Sequence, residues 1–266
     1  MMAKVETTRR NLDPEKPDIL IFGTCLGDQA LEGYRVEAAL GPAGRIHSLT
    51  APGSTPVDWY LSLRSVLRPG DVDLVLVVYT PGDLYLSKLN WQTQTLDLTD
   101  WTSIREVGDW TCADVECRAE LALRKASLLY RNRAYLANRV WTTLGARDGA
   151  SPLATSSQSY TPPDAHPAHA AWHFVGRMAE LAAERKTPLA FLELPANPEF
   201  SHAPGAELQA EEREEARRRL RELGGQVISP PAPAGGFMDD VHYNGFGRRA
   251  ITDAVIAYVK ELQAKR

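Results

Sequence analysis

The residues of this sequence best suited to chemistry are a cysteine near the beginning and an aspartate–histidine pair near the end. Cys25 follows an apolar run and a Gly-Thr step, and Asp239 and His242 stand three positions apart before the last helical pattern. A thiol can attack an acyl carbon, an imidazole can take its proton, and a carboxylate can orient the imidazole. We therefore predict acyl transfer through a covalent acyl-enzyme on Cys25, with His242 as the general base and Asp239 as its orienting partner.

Further candidates lie in turn-like segments that follow other apolar runs. Backbone N–H groups in such segments can stabilise a developing oxyanion, and the candidates for this role are Cys25, Gly53 and Gly82. The side chains that we predict as substrate-binding candidates are Thr24, Asp83 and Asn244. Asp83 is equally well explained as a turn residue after a glycine.

These residues can meet only if the fold brings them to one place. Short apolar runs predict strands at 18–22, 45–49, 72–79, 188–194 and 226–229. Apolar residues at helical spacing predict helices at 28–40, 59–67, 118–144, 170–184, 207–223 and 244–262. The alternation predicts a three-layer α/β/α domain with a flavodoxin-like parallel sheet of about five strands. Sites of such sheets form at the carboxyl ends of the strands, where all the candidates lie.

The middle of the chain departs from this alternation. Residues 81–117 carry Trp91, Trp101 and Trp110 among polar and turn residues, and 149–167 is rich in Ser, Thr, Pro and Ala. We predict one domain over 1–266, in which 84–165 is a helical and loop insertion after the third strand. Because the insertion starts beside the candidate site, we expect it to cover the rim and to set substrate choice.

Composition argues against several other classes of protein. The net charge of −4 lacks the basic excess of a nucleic-acid binder, so we predict no nucleic-acid partner. His169 and His173 lie four residues apart, and His166 is nearby, but no third ligand follows at a spacing typical of a metal site. We therefore predict no metal, and we also predict no organic cofactor. Cys112 and Cys117 could pair, and spacing alone leaves this open.

The N-terminal residues bear on the compartment. Residues 1–16 are polar and charged, with no apolar segment of the signal-peptide type, and no run reaches the ~18 apolar residues of a membrane span. We predict no membrane span and a cytoplasmic protein as the sequence stands. The alternative is an extracytoplasmic protein whose anchor or signal lies upstream of this sequence.

The candidate motifs together resemble those of the SGNH, or GDSL-like, hydrolases. The last motif of that family is an Asp and a His separated by two residues, with an Asn and a Gly following, as in Asp239, His242, Asn244 and Gly247. Its first motif places the nucleophilic serine directly after the first strand, where this chain has Gly23-Thr24-Cys25.

Two further family motifs are matched less completely. The second supplies a glycine N–H to the oxyanion hole, and Gly53 is its counterpart. The third ends in Asn-Asp after the third strand, and only Gly82-Asp83 matches it, without the asparagine. The resemblance implies an SGNH fold whose active-site position is held by Cys25.

Three functions follow from the residues and the resemblance. The first is a hydrolase or acyltransferase acting on a small-molecule or glycan acyl ester or thioester, with an acyl carrier as one donor. The second is a carbohydrate O-acetyl esterase or transferase, since the run 129–133 is similar to SGNH-like domains linked to exopolysaccharide acetylation. The third is a non-catalytic binding module, in which Cys25 is a small buried residue and His242 contacts a carbonyl at a helix start.

Overall fold

The computed structural model describes a defined part of the chain, and all structural statements below refer to it. The described residues are 2–13, 15–68, 70, 72–85, 96, 99–112, 114–131, 133, 136, 167–198, 206–239 and 242–265. Five strands form the sheet: β1 Asp18–Gly23, β2 Arg45–Ser48, β3 Leu74–Tyr79, β4 Leu189–Glu193 and β5 Gln226–Ile228.

The sheet is parallel throughout and follows the order β2-β1-β3-β4-β5. The order is that of flavodoxin-like folds, so the predicted fold class is confirmed. Glycine at the end of β1 lets the two central strands approach closely, because a Cβ on Gly23 would lie 2.5 Å from the carbonyl oxygen of Val78. Because all five strands are parallel, their carboxyl ends lie at the same rim of the sheet.

Helices cover both faces of the sheet. The described helices are α1 Met2–Asn11, α2 Cys25–Ala30, α3 Gly33–Leu40, α4 Pro56–Val66, α5 Trp101–Thr111, α6 Val115–Ala126, α7 Leu128–Arg131, α8 Pro167–Glu184, α9 Ala206–Glu222 and α10 Gly245–Ala264. A 3-10 helix spans Pro81–Tyr85. Alternate residues of β1 supply the two cores: Ile19 and Ile21 pack with α3 and α10, whereas Leu20 and Phe22 pack with α4, α8 and α9.

The predicted helix 28–40 is wrong in its continuity, because the chain breaks between α2 and α3. Leu31 is extended (φ −114°, ψ 140°) and buried in the core beside α10. The next N–H, that of Glu32, donates to the hydroxyl of Thr252 in α10 at 2.9 Å and not to a helical carbonyl. A tertiary contact thus overrides the local helical pattern.

The predicted helix 118–144 also breaks, at Ser127. This residue is extended (φ −124°, ψ 113°), and its hydroxyl accepts a hydrogen bond from the N–H of Tyr130 at 3.1 Å. Ser127 therefore ends α6 and caps the first turn of α7. The predicted extent beyond 136 lies outside the described residues.

Two helices were not predicted from the sequence. In α1, Val5 and Thr8 are buried, but its few apolar residues do not recur at helical spacing and so do not reveal the helix. In α5, Asp100 caps the first turn by accepting from the N–H of Ser103 at 2.7 Å.

Much of the predicted insertion, including Trp91, lies outside the described residues, so its role over the rim stays a prediction. Within the described part, a disulfide joins Cys112, at the end of α5, to Cys117 in α6. The pairing that spacing left open is therefore made. None of the helices described here has the length and apolar character needed to cross a bilayer.

Candidate active site

The predicted aspartate–histidine pair lies in a tight loop after β5. An antiparallel bridge between Phe237 and Tyr243 closes the loop, and their rings are 4.7 Å apart. The Met238 N–H donates to the carbonyl of His242 at 2.8 Å. Because Tyr243 is buried in the core beneath α10, the loop presents Asp239 and His242 outward.

Within this loop, the aspartate orients the imidazole directly. Nδ1 of His242 lies 2.8 Å from Oδ2 and 3.0 Å from Oδ1 of Asp239. The backbone N–H of His242 also donates to Oδ1 at 2.8 Å, which fixes the carboxylate. Among the described residues, no hydrogen-bond partner faces Nε2 of His242. This is the arrangement that a general base oriented by a carboxylate requires.

The loop is also tied to the segment after β4. The side-chain amide of Asn197 donates to the carbonyl of Asp239 at 3.1 Å. The hydroxyl of Tyr243 donates to the carbonyl of Pro195. These contacts hold the aspartate–histidine pair at the carboxyl end of the sheet, where the sequence predicted it.

Asn244 caps the last helix. Its side-chain oxygen accepts from the N–H groups of Phe246 and Gly247 at 2.9 and 3.0 Å, and its amide donates to the carbonyl of Gly235 at 2.7 Å. Gly247 is required beside it, because a Cβ there would lie 2.1 Å from the Gly236 carbonyl oxygen. Helix capping explains the asparagine, and its predicted contact with substrate stays a prediction.

Cys25 begins α2 directly after β1 and is half-buried. As the first residue of a helix, it has an N–H group with no intrahelical acceptor. The helix that it begins is only six residues long. Thr24 is buried at the cap position, and its side chain makes no capping bond.

The segment after β2 packs against the end of β1. The hydroxyl of Ser54 donates to the carbonyl of Gly23 at 2.7 Å and accepts from Nε1 of Trp59 at 3.0 Å. The preceding residue, Gly53, has a φ of 64°, a left-handed conformation that favours glycine. The predicted oxyanion-hole glycine is thus held beside the strand that leads to Cys25.

The segment after β3 carries a buried aspartate. Oδ2 of Asp83 accepts from the N–H of Thr80 at 2.7 Å and from its hydroxyl at 2.9 Å. Burial raises the pKa of Asp83, and the two hydrogen bonds from Thr80 oppose that shift. Gly82 has open space at the position of a Cβ, so packing does not require a glycine there.

The fold identifies what these elements belong to. Sequence comparison finds no matching family model and no similar curated protein. Among solved structures, a candidate acylhydrolase from Bacteroides fragilis matches over 98% of this chain and 96% of its own, with a TM-score of 0.52 and 10% identity. A GDSL-like lipase from Bacteroides thetaiotaomicron matches over 97% of both chains, with a TM-score of 0.52 and 11% identity. The chain has the SGNH/GDSL-like hydrolase fold.

Within the SGNH fold, the candidate residues lie on segments that leave the same rim, but they are not all in contact. No hydrogen bond joins the sulfur of Cys25 to the ring of His242 in the described part of the structure. Apo sites of this kind are commonly loose and tighten around substrate. Their roles in the site therefore stay predictions, and the geometry shows an oriented imidazole and a partly exposed thiol on one rim.

The sequence did not reveal one further cluster at this rim of the SGNH fold. Glu193, at the end of β4, is buried and pairs with Arg213 and Arg217 of α9. Local sequence does not predict this cluster, because a carboxylate at the end of a strand and the alternating charges of α9 are both typical of solvated groups. No group of His, Cys, Asp and Glu suited to a metal ion occurs within the described ranges. His173 instead stacks on Trp110 at 3.9 Å and lies 3.3 Å from Glu106.

Proposed function

We propose that this chain is an acyl-ester or thioester hydrolase or acyltransferase that works through a covalent acyl-enzyme on Cys25. The observation that carries the proposal is the His242 imidazole, which Asp239 holds through Nδ1 while Nε2 stays available. The SGNH/GDSL-like fold supports it, since the motif resemblance found in the sequence implies a nucleophile directly after β1.

The proposed reaction forms a thioester on Cys25 and then breaks it. Nε2 of His242 takes the proton of the Cys25 thiol, and the sulfur attacks the acyl carbon. The N–H groups of Cys25 and Gly53, with Gly82 as a further candidate, donate to the oxyanion. Collapse breaks the bond to the leaving alkoxide or thiolate, which takes the proton from His242. Water or an acceptor hydroxyl then attacks the thioester, gives its proton to His242, and releases the thiol.

The test is intact-mass analysis after incubation with p-nitrophenyl acetate. Because Cys112 and Cys117 form a disulfide, Cys25 is the free thiol of this chain and reports its own acylation. We expect one added acetyl group on the wild type and none on Cys25→Ala. Cys25→Ser keeps the shape of the site and should acylate at a different rate.

The matched control is alkylation of Cys25 by iodoacetamide at neutral pH. A wild-type thiol that alkylates no faster than free glutathione and gains no acetyl group contradicts the proposal. That result favours the non-catalytic binding module, a hypothesis that the missing asparagine after β3 also supports.

Two substrate classes divide the proposal further. If the substrate is a carbohydrate O-acetyl ester, deacetylation of an acetylated oligosaccharide should depend on Cys25 and His242. If the donor is an acyl carrier, acyl transfer from a pantetheine thioester to Cys25 should outpace transfer from the simple ester.

We also propose that the chain works in an oxidising compartment, the extracytoplasmic alternative named from the sequence. The support is the disulfide between Cys112 and Cys117, since such bonds persist mainly outside the reducing cytosol. Protein produced in the bacterial periplasm should have one reactive thiol under denaturing, non-reducing conditions. A count of three would contradict the proposal.

A further inference from the structure

An open pocket lies at the carboxyl ends of β4 and β5, on the side of the sheet that faces α9. Its volume is about 360 Å³, and its walls include Pro195, Pro230 and Ala232 together with the charged residues Arg213 and Glu193. None of the residues predicted for catalysis lines it. The pocket is therefore distinct from the candidate catalytic residues.

The charged wall of the pocket is built around a buried carboxylate. Glu193 is 2% exposed, and its oxygens accept from Nη1 of Arg213 and Nε of Arg217, each at 2.6 Å. The hydroxyl of Ser229 adds a bond at 3.1 Å. Two guanidinium groups thus share one buried carboxylate, and Arg217 has a second acidic partner in Glu214.

The unused hydrogen-bond donors of this wall are on Arg213. Arg217 uses Nε and Nη2 on Glu193 and Nη1 on Glu214, so all three of its nitrogens are engaged. Arg213 uses only Nη1, which also lies 3.4 Å from the carbonyl of Leu194. Within the described structure its Nε and Nη2 have no protein acceptor, and they are not sealed from solvent.

A guanidinium in this state favours an anionic oxygen ligand. The Arg213 side chain is only 19% exposed, so its unused N–H groups meet little bulk water and lie in a pocket walled largely by proline and alanine. Charge-assisted hydrogen bonds are strongest where both partners are partly desolvated. A carboxylate or phosphate group supplies the acceptors that these donors lack.

The pocket adjoins the loop that carries the aspartate–histidine pair. Pro195 is part of its wall, and the carbonyl of Pro195 accepts a hydrogen bond from the hydroxyl of Tyr243, the residue next to His242. Burial raises the pKa of that hydroxyl, and the charges of Arg213 and Glu193 also act on it. A ligand held by Arg213 would therefore lie against the back of the candidate active-site loop.

We propose that this pocket binds the carboxylate or phosphate group of a small ligand and that Arg213 is the residue that holds it. Binding of an anion there requires no acyl chemistry. The assignment of the pocket as the subsite for an acidic group on the substrate or acceptor rests on the proposed function.

The test is calorimetric titration of the folded Cys25→Ala protein with glucuronate, inorganic phosphate and, as the neutral control, glucose. We expect an anion to bind and glucose not to bind; binding by glucuronate alone identifies a carboxylate ligand, and binding by phosphate alone a phosphate ligand. Arg213→Gln should weaken the anion about tenfold or more, the effect of losing one charge-assisted contact. Arg218→Gln, on the same helix but paired on the surface with Glu215, should leave binding unchanged.

A second variant protects the test against misfolding, since Arg213→Gln removes a partner of buried Glu193. Ala232→Trp fills the pocket without altering its charges and should also abolish binding; it decides alone if Arg213→Gln does not fold. The proposal is overturned if neither anion binds, or if binding is unchanged in the folded variants. Because Cys25→Ala cannot be acylated, these results are independent of the acylation test.

Discussion

An aspartate lies beside a histidine at each end of the strands of the sheet, and the surroundings of the two pairs differ. Below, the amino edge and the carboxyl edge are the rims formed by the amino and carboxyl ends of the strands. At the amino edge, Asp18 is fully buried, with Nε2 of His47 3.3 Å away. At the carboxyl edge, Asp239 and His242 are 54% and 34% exposed. A pair of the same two residue types is therefore enclosed at one edge and open at the other.

The amino-edge pair serves structure. Arg45 grips Asp18 with Nε and Nη2 at 3.0 and 2.8 Å, which joins β1 to β2. The N–H of Asp18 donates to Asp73 at 3.0 Å, which joins β1 to the start of β3. His47 comes near the carboxylate without making a hydrogen bond. The side chain and the backbone N–H of Asp18 together hold three chain segments in place.

The carboxyl-edge pair is built the opposite way. Asp239 directs its side chain to the ring and N–H of His242, and the second ring nitrogen is left available. Residue identity alone therefore does not assign a role to an Asp–His pair. Burial decides whether an Asp–His pair is enclosed within the fold or can be reached from solvent.

The largest effect should come from His242→Ala. The loss of the proposed general base should slow acetylation of Cys25 by about a thousandfold, within the usual range for such a group. The free energy of unfolding should change by only about 0.5 kcal/mol, as it does for most substitutions at surface positions. Stopped-flow mass analysis and urea titration measure the two quantities; an unchanged acylation rate would remove His242 from the mechanism.

The second-largest effect should come from Asp18→Asn, which should change stability and leave the acylation rate unchanged. This change leaves Arg45 without its anionic partner and should lower the free energy of unfolding by about 3 kcal/mol, the low end of the range for a broken buried ion pair because Arg45 is partly solvated. Urea unfolding followed by circular dichroism measures it. The acylation rate of the folded variant should match the wild type, and a large loss of rate would erase the contrast between the two edges.

A smaller effect is expected from Asp239→Asn. The amide can still accept from the N–H of His242, but it no longer stabilises a charged imidazolium, so acylation should slow about tenfold or more. The control is Asp253→Asn, which removes an exposed carboxylate that pairs with Arg35 on α3. Equal rates for the two variants would show that the carboxylate of Asp239 does not act through His242.

The smallest effect concerns Asp83, a buried carboxylate without a cation among its described partners. Its raised pKa means that the charged form destabilises the folded state at neutral pH, a penalty that disappears as pH falls below the ordinary range of an aspartate. Asp83→Asn keeps an acceptor for Thr80 and should therefore stabilise the protein at pH 7 by about 1 kcal/mol.

That advantage of Asp83→Asn should shrink as pH falls and both proteins become neutral at this site. Urea midpoints of the wild type and the variant, measured across acidic pH, test the sign. An advantage that grows on acidification would mean that the carboxylate is stabilised by a cation and belongs with Asp18.

Local sequence patterns account for the framework of this protein. Buried β-branched runs specified parallel strands, and glycine and helix-start residues marked where each strand hands over to a helix. Because parallel strands end at one rim, the position of Cys25, Gly53, Asp83 and His242 on that rim followed from local pattern alone. The four-residue Asp239–His242 motif is also local, so its geometry could be expected.

Tertiary structure decided the features that depend on distant partners. The break at Leu31 depends on Thr252, which is 220 residues from Glu32. The burial of Glu193 depends on Arg213 and Arg217 of α9, whose sequence looks like a solvated helix. A local pattern reports which conformation a segment prefers, but the free energy of a buried charge or a broken helix is set by groups that only folding brings near.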